Sequence, residues 1–249
     1  ALVGNPNAGK TSLFNALTGA RQKVGNYPGV TVERKLGRWQ LDDGRHIDLL
    51  DLPGTYSLDA RSPDEQVTHD VVMGRQQGER RPDAIVAVVD ATNLDNHLRF
   101  VLQLKMLGLP LVVALNMIDL ARRDGLEIDP ARLSKGLGVP VIATVAVRRR
   151  GLGELADAVD AALAAPAPAA VPQDADQADL RTLQRKARAL AGHATISETV
   201  TRRWSHLADR ITLHPVIGPV LLAAIMFVMF QAVFAWAERP MELIEAFVT

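Results

Sequence analysis

Residues 4–11 contain the glycines, the lysine and the threonine of a phosphate-binding loop. They read Gly-Asn-Pro-Asn-Ala-Gly-Lys-Thr, which matches the pattern G-x-x-x-x-G-K-[ST]. An apolar run precedes the loop and a helical run follows it, as required, because backbone N–H groups and a helix N-terminus together attract phosphate. Lys10 is therefore predicted to neutralise the β- and γ-phosphates of a nucleoside triphosphate, and Thr11 is predicted to ligate Mg²⁺.

A second motif, Asn116-Met117-Ile118-Asp119, follows an apolar run and predicts which base is bound. The carboxylate of Asp119 can accept hydrogen bonds from N1–H and the exocyclic amine of guanine. Adenine has no donors on that edge, and it would leave a buried acceptor unpaired at a cost of about 1–3 kcal/mol. Asn116 is predicted to bind the other side of the base and to join this segment to the phosphate loop. Met117 supplies an apolar cover for the base.

Three further segments are predicted to complete the site. Asp51 begins Asp-Leu-Pro-Gly, so its carboxylate is expected to hold Mg²⁺ through water and Gly54 to donate its N–H to the γ-phosphate. Thr31 is the only threonine between the phosphate-loop helix and that segment. It is the candidate for a second Mg²⁺ hydroxyl, and an ordinary loop threonine is the alternative. Residues 144–146 are expected to contact the guanine carbonyl through a backbone N–H.

The predicted site residues are assigned to three roles. The catalytic set is Asn7, Lys10, Thr31 and Gly54. The Mg²⁺ ligands are Thr11, Thr31 and Asp51. The side-chain oxygen of Asn7 is predicted to join phosphate oxygens around a monovalent cation, the alternative being a hydrogen bond within the loop. The nucleotide-binding set is Gly4, Asn5, Pro6, Asn7, Ala8, Gly9, Lys10, Thr11, Ser12, Gly29, Val30, Thr31, Val32, Glu33, Asp51, Leu52, Pro53, Gly54, Asn116, Met117, Ile118, Asp119, Thr144, Val145 and Ala146.

Hydrolysis by this site is predicted to be slow. Thr55 follows Gly54 where Ras-like switch GTPases carry a glutamine that orients the attacking water, and its short hydroxyl cannot reach as far. Glu65 is an acid just beyond this segment. However, Ser62-Pro63-Asp64-Glu65 fits a capping box, with Ser62 as N-cap and Pro63 at the first helical position. We prefer the capping role, and a general base is the alternative.

The remaining sequence predicts the elements that position these residues. Apolar runs of strand length alternate with helical patterns, the clearest being at residues 84–90, 94–107, 111–116 and 139–145. This alternation is typical of buried parallel strands with crossover helices. Runs at 35–41 and 45–50 flank Asp-Asp-Gly and predict a hairpin at one edge. Residues 1–163 are therefore predicted to form an α/β domain with a mostly parallel, doubly wound sheet. Together with the nucleotide-binding motifs, this predicts the fold class of a Ras-like P-loop GTPase.

The composition changes after residue 163. Residues 164–179 are rich in Ala and Pro and predict a linker. Apolar spacing of three and four residues across 180–214 predicts two amphipathic helices in a small all-α subdomain. Residues 216–237 carry no formal charge and, at about 1.5 Å per residue, can cross a hydrocarbon core of about 30 Å. They predict a transmembrane helix, with a buried helix of a soluble domain as the alternative.

Charge and composition narrow the function classes. Arg202, Arg203 and Arg210 precede the predicted span, whereas one Arg and three Glu follow it, so residues 1–214 are predicted to be cytoplasmic. Basic and acidic residues number 28 each, which argues against nucleic acid as a partner. Cysteine is absent, which excludes disulfides and thiolate metal sites. Membrane channels and carriers need several spans, so the chain is expected to be part of a longer membrane protein.

The motifs, in this order, resemble the GTP-binding domain of the bacterial ferrous iron transport protein B family. The resemblance is carried by residues 4–19, 24–33 and 51–58 and by the methionine at position 117, and it extends into the predicted span. It implies a cytoplasmic GTPase at the inner membrane, a helical domain at 180–214 that slows GDP release, and a membrane domain starting at residue 215 that transports Fe(II). It also implies that K⁺ bound through Asn7 activates hydrolysis.

The resemblance sets the expected ligands and leaves one alternative function. GTP or GDP, Mg²⁺ and K⁺ are the expected ligands, and small accessory proteins and a homo-oligomer are possible partners. The six histidines show no pair at metal-ligand spacing, so no iron site is predicted in this chain. The alternative is a soluble regulatory GTPase acting on RNA or ribosomes, which shares the same motifs. The apolar span and the neutral charge favour the transporter.

Overall fold

The computed structural model describes residues 1–20, 22–28, 30–41, 43–60, 62–164, 180–198 and 211–232, and it divides into two units, Ala1–Glu198 and Thr199–Thr249. The strands of the first unit are β1 (Leu2–Gly4), β2 (Gln22–Asn26), β3 (Glu33–Gln40), β4 (His46–Asp51), β5 (Ile85–Asp90), β6 (Leu111–Asn116), β7 (Leu126–Ile128), β8 (Val141–Ala143) and β9 (Thr195–Glu198). Its helices are α1 (Lys10–Thr18), α2 (Pro63–Met73), α3 (Leu94–Met106), α4 (Ile118–Arg123), α5 (Pro130–Leu137), α6 (Leu152–Ala164) and α7 (Leu180–Ala194). The second unit contains α8 (Ile217–Gln231).

The main sheet has seven strands in the order β2-β3-β4-β1-β5-β6-β8. Strands β4, β1, β5, β6 and β8 run parallel, whereas β2 and β3 pair antiparallel at one edge. The predicted hairpin is β3 and β4, and the predicted parallel strands are β5, β6 and β8. On one side of β1 the sheet continues with β4, β3 and β2, and on the other side it continues with β5, β6 and β8, so the strand order changes direction at β1. Ligands of such sheets bind beyond the carboxyl ends of the strands at that reversal.

The parallel strands are buried on both faces, which explains their continuous apolar sequence. Along β5, Val86 and Val88 face one apolar cluster, formed with α1 and α6, while Ile85, Ala87 and Val89 face the other. Alternate side chains of a strand point to opposite faces, so a strand covered on both sides needs apolar residues throughout. The second cluster includes residues of α2, α3, α5 and α7.

The C-terminal part of the first unit differs from the predicted pattern. Helix α7 is the first of the two predicted helices, and its buried face of Leu183, Ala187 and Ala191 packs on α3 and α5. Thr195–Glu198, where the spacing predicts the start of the second helix, instead forms β9 antiparallel to β7. The β-branched Thr195 and Ile196 favour an extended backbone once β7 offers a partner. Residues 165–179 and 199–210 lie outside the described residues, so the linker and the all-α subdomain stay predictions.

Helix α8 covers most of the described part of the predicted span. It contains 15 residues, and its large apolar side chains are exposed. Within the described ranges, no helix combines the length and the apolar character needed to cross a membrane. Residues 233–237 lie outside these ranges, and the transmembrane helix stays a prediction.

Candidate nucleotide-binding site

The predicted motifs meet at one edge of the sheet. Gly4 ends β1, Asp51 ends β4, Asn116 ends β6 and Thr144 follows β8, so all four lie at the carboxyl ends of parallel strands. These strands flank the reversal at β1. The structure thus brings the phosphate loop, the Asp-Leu-Pro-Gly segment and the base motif to the same place, although they are far apart along the chain.

The phosphate loop makes a sharp turn into α1. Asn7 and Gly9 both have left-handed backbones, with φ of 64° and 82°. A Cβ on Gly9 would lie 2.3 Å from Nδ2 of Asn116, so glycine is required by space as well as by backbone conformation. Thr11 and Ser12 are exposed on the first turn of α1, which contains no acidic residue. The positive end of the helix dipole is therefore open to an anion.

The two charged groups predicted to handle phosphate and metal form an ion pair. Nζ of Lys10 lies 3.0 Å from Oδ1 of Asp51, and the side chains are only 12% and 5% exposed. Each charge is thereby compensated at the floor of the site, since a buried charge without a partner is costly. The triphosphate is negatively charged and Mg²⁺ is positively charged. Lys10 can therefore exchange its contact with Asp51 for a contact with the triphosphate, and Asp51 can exchange its contact with Lys10 for a contact with Mg²⁺.

Asn116 connects the base motif to two other loops. Its Nδ2 donates to the carbonyl oxygen of Ala8 at 3.1 Å, while its Oδ1 accepts from the N–H of Ala146 at 3.1 Å and from the Thr144 hydroxyl at 3.5 Å. The residue is 2% exposed. Buried side-chain amides are stable only when their polar atoms are paired, and here both ends are. The predicted link between the base motif and the phosphate loop is present.

In the loop after β8, the backbone N–H groups of residues 144–146, which are predicted to contact the base, are bonded within the protein. The N–H groups of Thr144, Val145 and Ala146 donate to carbonyl oxygens of Leu115 and Arg150 and to Oδ1 of Asn116, respectively. They are engaged within the protein. The next N–H belongs to Val147, in the 3₁₀ turn Ala146–Arg148. Spacing alone does not fix which residue of a short turn faces a ligand.

Asp119 lies in the first turn of α4, and Met117 forms the N-cap with a left-handed backbone, φ 60°. The Asp119 carboxylate is partly exposed, as an acceptor for a base must be. Its Oδ2 lies 3.6 Å from Nη1 of Arg148, which follows β8. No spacing of residue types in the sequence indicates that Asp119 has this basic partner.

The segment after Asp51 runs beside the phosphate loop. A Cβ on Gly54 would lie 3.1 Å from the backbone nitrogen of Pro6, and the N–H of Thr55 donates to the carbonyl oxygen of Gly4 at 3.2 Å. The hydroxyl of Thr55 is buried and lies 2.6 Å from the carbonyl oxygen of Ser57 and 3.3 Å from Oε1 of Glu65. It is therefore held within the protein rather than presented to a water molecule.

Helix α3 holds the continuation of this segment through two side chains that the sequence did not single out. Buried Gln103 accepts from the N–H of Leu58 at 3.2 Å and donates to Oγ of Ser57 at 3.3 Å. Arg99 donates to the carbonyl oxygen of Tyr56 at 3.2 Å. A lone polar residue on a helix carries no motif, so only the structure reveals these contacts.

The segment that contains Thr31 is anchored by Tyr27. The Tyr27 side chain is buried, and this burial raises the pKa of its phenol. The backbone N–H of Tyr27 donates to the carbonyl oxygen of Val32 at 3.0 Å. Thr31 itself is exposed, and within the described residues no hydrogen bond joins it to the phosphate loop. Gly29 lies outside the described residues. The structure places Thr31 on the loop that leads into β3, and its role as a Mg²⁺ ligand stays a prediction.

The N-cap that the sequence predicts for α2 is present, whereas the carboxylate of Glu65 accepts from the hydroxyl of Thr55 at 3.3 Å. Ser62 is the N-cap of α2, its hydroxyl accepts from the N–H of Glu65 at 3.3 Å, and Pro63 occupies the first turn. We expect Glu65→Gln to leave GTP turnover within about threefold of the unmutated chain, because an amide oxygen can still accept from Thr55 and a general base would contribute 10²–10⁴-fold. Single-turnover hydrolysis measures this.

The matched control for that experiment is Asp64→Asn, which removes an acid from the same turn. A loss beyond about a hundredfold in Glu65→Gln alone would assign the general-base role to Glu65.

Comparison with known proteins identifies the family. A family model described as ferrous iron transport protein B matches residues 1–159, well over half of the chain. The chain belongs to this family. The Fe(2+) transporter FeoB of Salmonella typhimurium is 49% identical over 164 residues, which are 64% of this chain and 20% of that protein. The chain thus spans about a fifth of the length of the curated relatives it matches.

Solved structures of the ferrous iron transport protein B family share the fold. The cytosolic domain of the T. maritima FeoB iron transporter in a GDP form is 40% identical, with a TM-score of 0.62 over 67% of this chain and 63% of that chain. The cytosolic domain of L. pneumophila FeoB is 34% identical, with a TM-score of 0.59 over 85% of this chain and 96% of that chain. The predicted Ras-like α/β fold is confirmed.

Proposed function

We propose that this chain binds GTP and hydrolyses it to GDP and phosphate, as the cytoplasmic part of a bacterial inner-membrane Fe(II) transporter. The observation that carries the proposal is the hydrogen bond from Asn116 to the carbonyl oxygen of Ala8, 3.1 Å long. It joins the segment that carries Asp119 to the predicted phosphate-binding loop. Relatives solved with GDP support the choice of nucleotide.

The phosphate end of the site offers the oxygen ligands that Mg²⁺ prefers. Thr11 presents a hydroxyl on the first turn of α1, and Asp51 presents a carboxylate at the end of β4. Bound Mg²⁺ would neutralise charge on the β- and γ-phosphates. Lys10 leaves Asp51 to bind the same phosphates, and Gly54 donates its N–H to the γ-phosphate from beside Pro6. Thr31 would supply a second hydroxyl ligand to Mg²⁺.

The base end recognises guanine on two edges. Asp119 accepts from N1–H and the exocyclic amine, while Met117 covers one face of the ring. We assign the contact to the guanine carbonyl to the N–H of Val147, since the three preceding N–H groups have protein acceptors. Adenine offers no donors to Asp119 and no carbonyl oxygen to the N–H of Val147, so the site selects GTP over ATP.

The remaining parts of the chain are proposed to couple this site to the membrane. We propose a GTPase domain at 1–163, a linker at 164–179, a helical subdomain at 180–214 that slows GDP release, and the first membrane helix from 215 onwards. Packing of α7 on α3, the helix that holds the segment after Gly54, supports an influence on nucleotide release. Accessory proteins and self-association stay predictions.

Hydrolysis is expected to be at least several-fold faster in K⁺ than in Na⁺. Asn7 is exposed on the phosphate loop with a left-handed backbone, so its side-chain oxygen is available to a monovalent cation beside the phosphates. Such a cation compensates charge that develops between the β- and γ-phosphates, a role that an arginine finger plays elsewhere. Asn7→Ala should remove the K⁺ advantage while GDP still binds. Phosphate release at matched ionic strength measures it.

Asn15→Ala is the control, because Asn15 is an exposed asparagine on α1. Equal rates in the two salts for the unmutated chain would rule out the cation site.

The proposed function has two direct tests. Calorimetry should show that the chain binds GDP and not ADP, and binding of both equally would contradict the guanine assignment.

The intact protein in vesicles should take up Fe(II) at a rate that depends on GTP. If the rate of Fe(II) uptake changed neither with GTP nor in the Lys10→Ala variant, GTP binding by this chain would not control transport.

A further inference from the structure

Arg148 is placed by the protein to contact the base-recognition carboxylate. It ends the 3₁₀ turn Ala146–Arg148, and its Nη1 lies 3.6 Å from Oδ2 of Asp119. The Arg148 side chain is 60% exposed and that of Asp119 is 26% exposed. The pair therefore lies at the rim of the base site, where a nucleotide can reach the carboxylate.

The backbone that carries Arg148 is fixed on several sides. The N–H of Ala146 donates to Asn116, and Val145 and Arg150 form a backbone bridge, with the N–H of Val145 donating at 3.1 Å. Arg149 donates from Nη2 to the carbonyl oxygen of Ala16 at 2.9 Å. The turn is thus tied to the base motif and to the phosphate-loop helix. Its position is set by the same groups that build the site.

An arginine on one carboxylate oxygen does not prevent that carboxylate from binding a base. An ionised carboxylate has two oxygens and about four lone-pair sites, and guanine uses two of them. A guanidinium at Oδ2 restricts rotation of the carboxylate before the nucleotide arrives. Ordering the acceptor in the free protein reduces the entropy lost on binding.

We infer that Arg148 is a specificity-determining positioning residue, which holds the Asp119 carboxylate in the orientation that accepts both guanine donors. This inference rests on the proposed binding of guanine nucleotides. It extends that proposal to the discrimination between guanine and hypoxanthine nucleotides. Hypoxanthine keeps N1–H but lacks the exocyclic amine, so the preference for GDP over IDP reports how well Asp119 receives that amine.

The experiment compares GDP and IDP binding by calorimetry in the complete chain and its variants. Arg148→Ala should lower the GDP-over-IDP preference by about fivefold or more, which is the effect of weakening one hydrogen bond to a charged acceptor. Arg148→Lys should restore much of it, because a cation is retained. The effect should shrink at high ionic strength, since exposed ion pairs are screened.

Arg150→Ala is the matched control, because it removes the same charge from an exposed arginine two residues away. A second control introduces Arg148→Ala into Asp119→Ala, where it should have no further effect on the preference. Thermal melting should be unchanged in Arg148→Ala, which separates positioning from folding.

An unchanged or increased GDP-over-IDP preference in Arg148→Ala, with GDP binding intact, would overturn this inference alone. An equal loss in Arg150→Ala would also overturn it, because the effect would then be general electrostatics. Failure of the unmutated chain to prefer GDP over ADP would instead overturn the proposed function, and this inference with it.

Discussion

Replacing Asp119 by asparagine is expected to weaken GTP binding by about a hundredfold or more, because two hydrogen bonds to a charged acceptor are each worth about 1.5–3 kcal/mol. The structure places the carboxylate in the first turn of α4, next to the residues that join the base motif to the phosphate loop. The variant should gain affinity for xanthosine triphosphate, whose 2-oxo group can accept from the new amide. Calorimetry with both nucleotides measures the exchange of preference.

Asp124→Asn is the control for this prediction. Asp124 directly follows α4 and pairs with Arg123 at 3.2 Å, so the variant removes an acid near the same helix without touching the base motif. Unchanged GTP affinity in Asp119→Asn would mean that this segment does not recognise the base.

The second large effect is expected from Asn116→Ala, which should lower both stability and nucleotide affinity. The variant leaves the carbonyl oxygen of Ala8 and the N–H of Ala146 without their partner in a buried place. Each unpaired buried group costs about 1–3 kcal/mol, so we expect a loss of roughly 2–6 kcal/mol in the free energy of unfolding. GDP affinity should fall by about a hundredfold or more, because the base motif and the phosphate loop lose their shared anchor.

Denaturant unfolding and calorimetry with GDP measure the two effects separately. Asn96→Ala removes an asparagine whose side chain makes an exposed hydrogen bond to Asn93 at 2.7 Å, and it should change neither. An Asn116→Ala protein that binds GDP as the unmutated chain does would show that the anchor is dispensable.

The parts of the structure that the sequence predicts well are those with a strong local cause. The phosphate loop needs two glycines, a lysine and a hydroxyl at fixed spacing, and few other sites share that requirement. Strands β5 and β6 are apolar at nearly every position because both faces are buried. The N-cap formed by Ser62 with Pro63 acts within one helical turn, so the local sequence is sufficient to predict it.

The parts that the sequence did not predict depend on contacts between distant segments. Strand β2 is exposed at all five positions, so it carries no hydrophobic pattern, and it is extended because β3 pairs with it. Strand β9 interrupts a helical spacing because β7 lies alongside it. Gln103 and Arg148 act on segments far along the chain, and no spacing of residue types indicates either role.

The packing of α7 on α3 has a thermodynamic consequence. Helix α3 contacts the segment after Gly54 through Gln103, and it also packs against α7. If docking of α7 strengthens GDP binding by some factor, linkage requires that GDP strengthen docking of α7 by the same factor. Nucleotide exchange would then appear at α7 as a change in the free energy of docking, even where no atom of α7 touches the nucleotide.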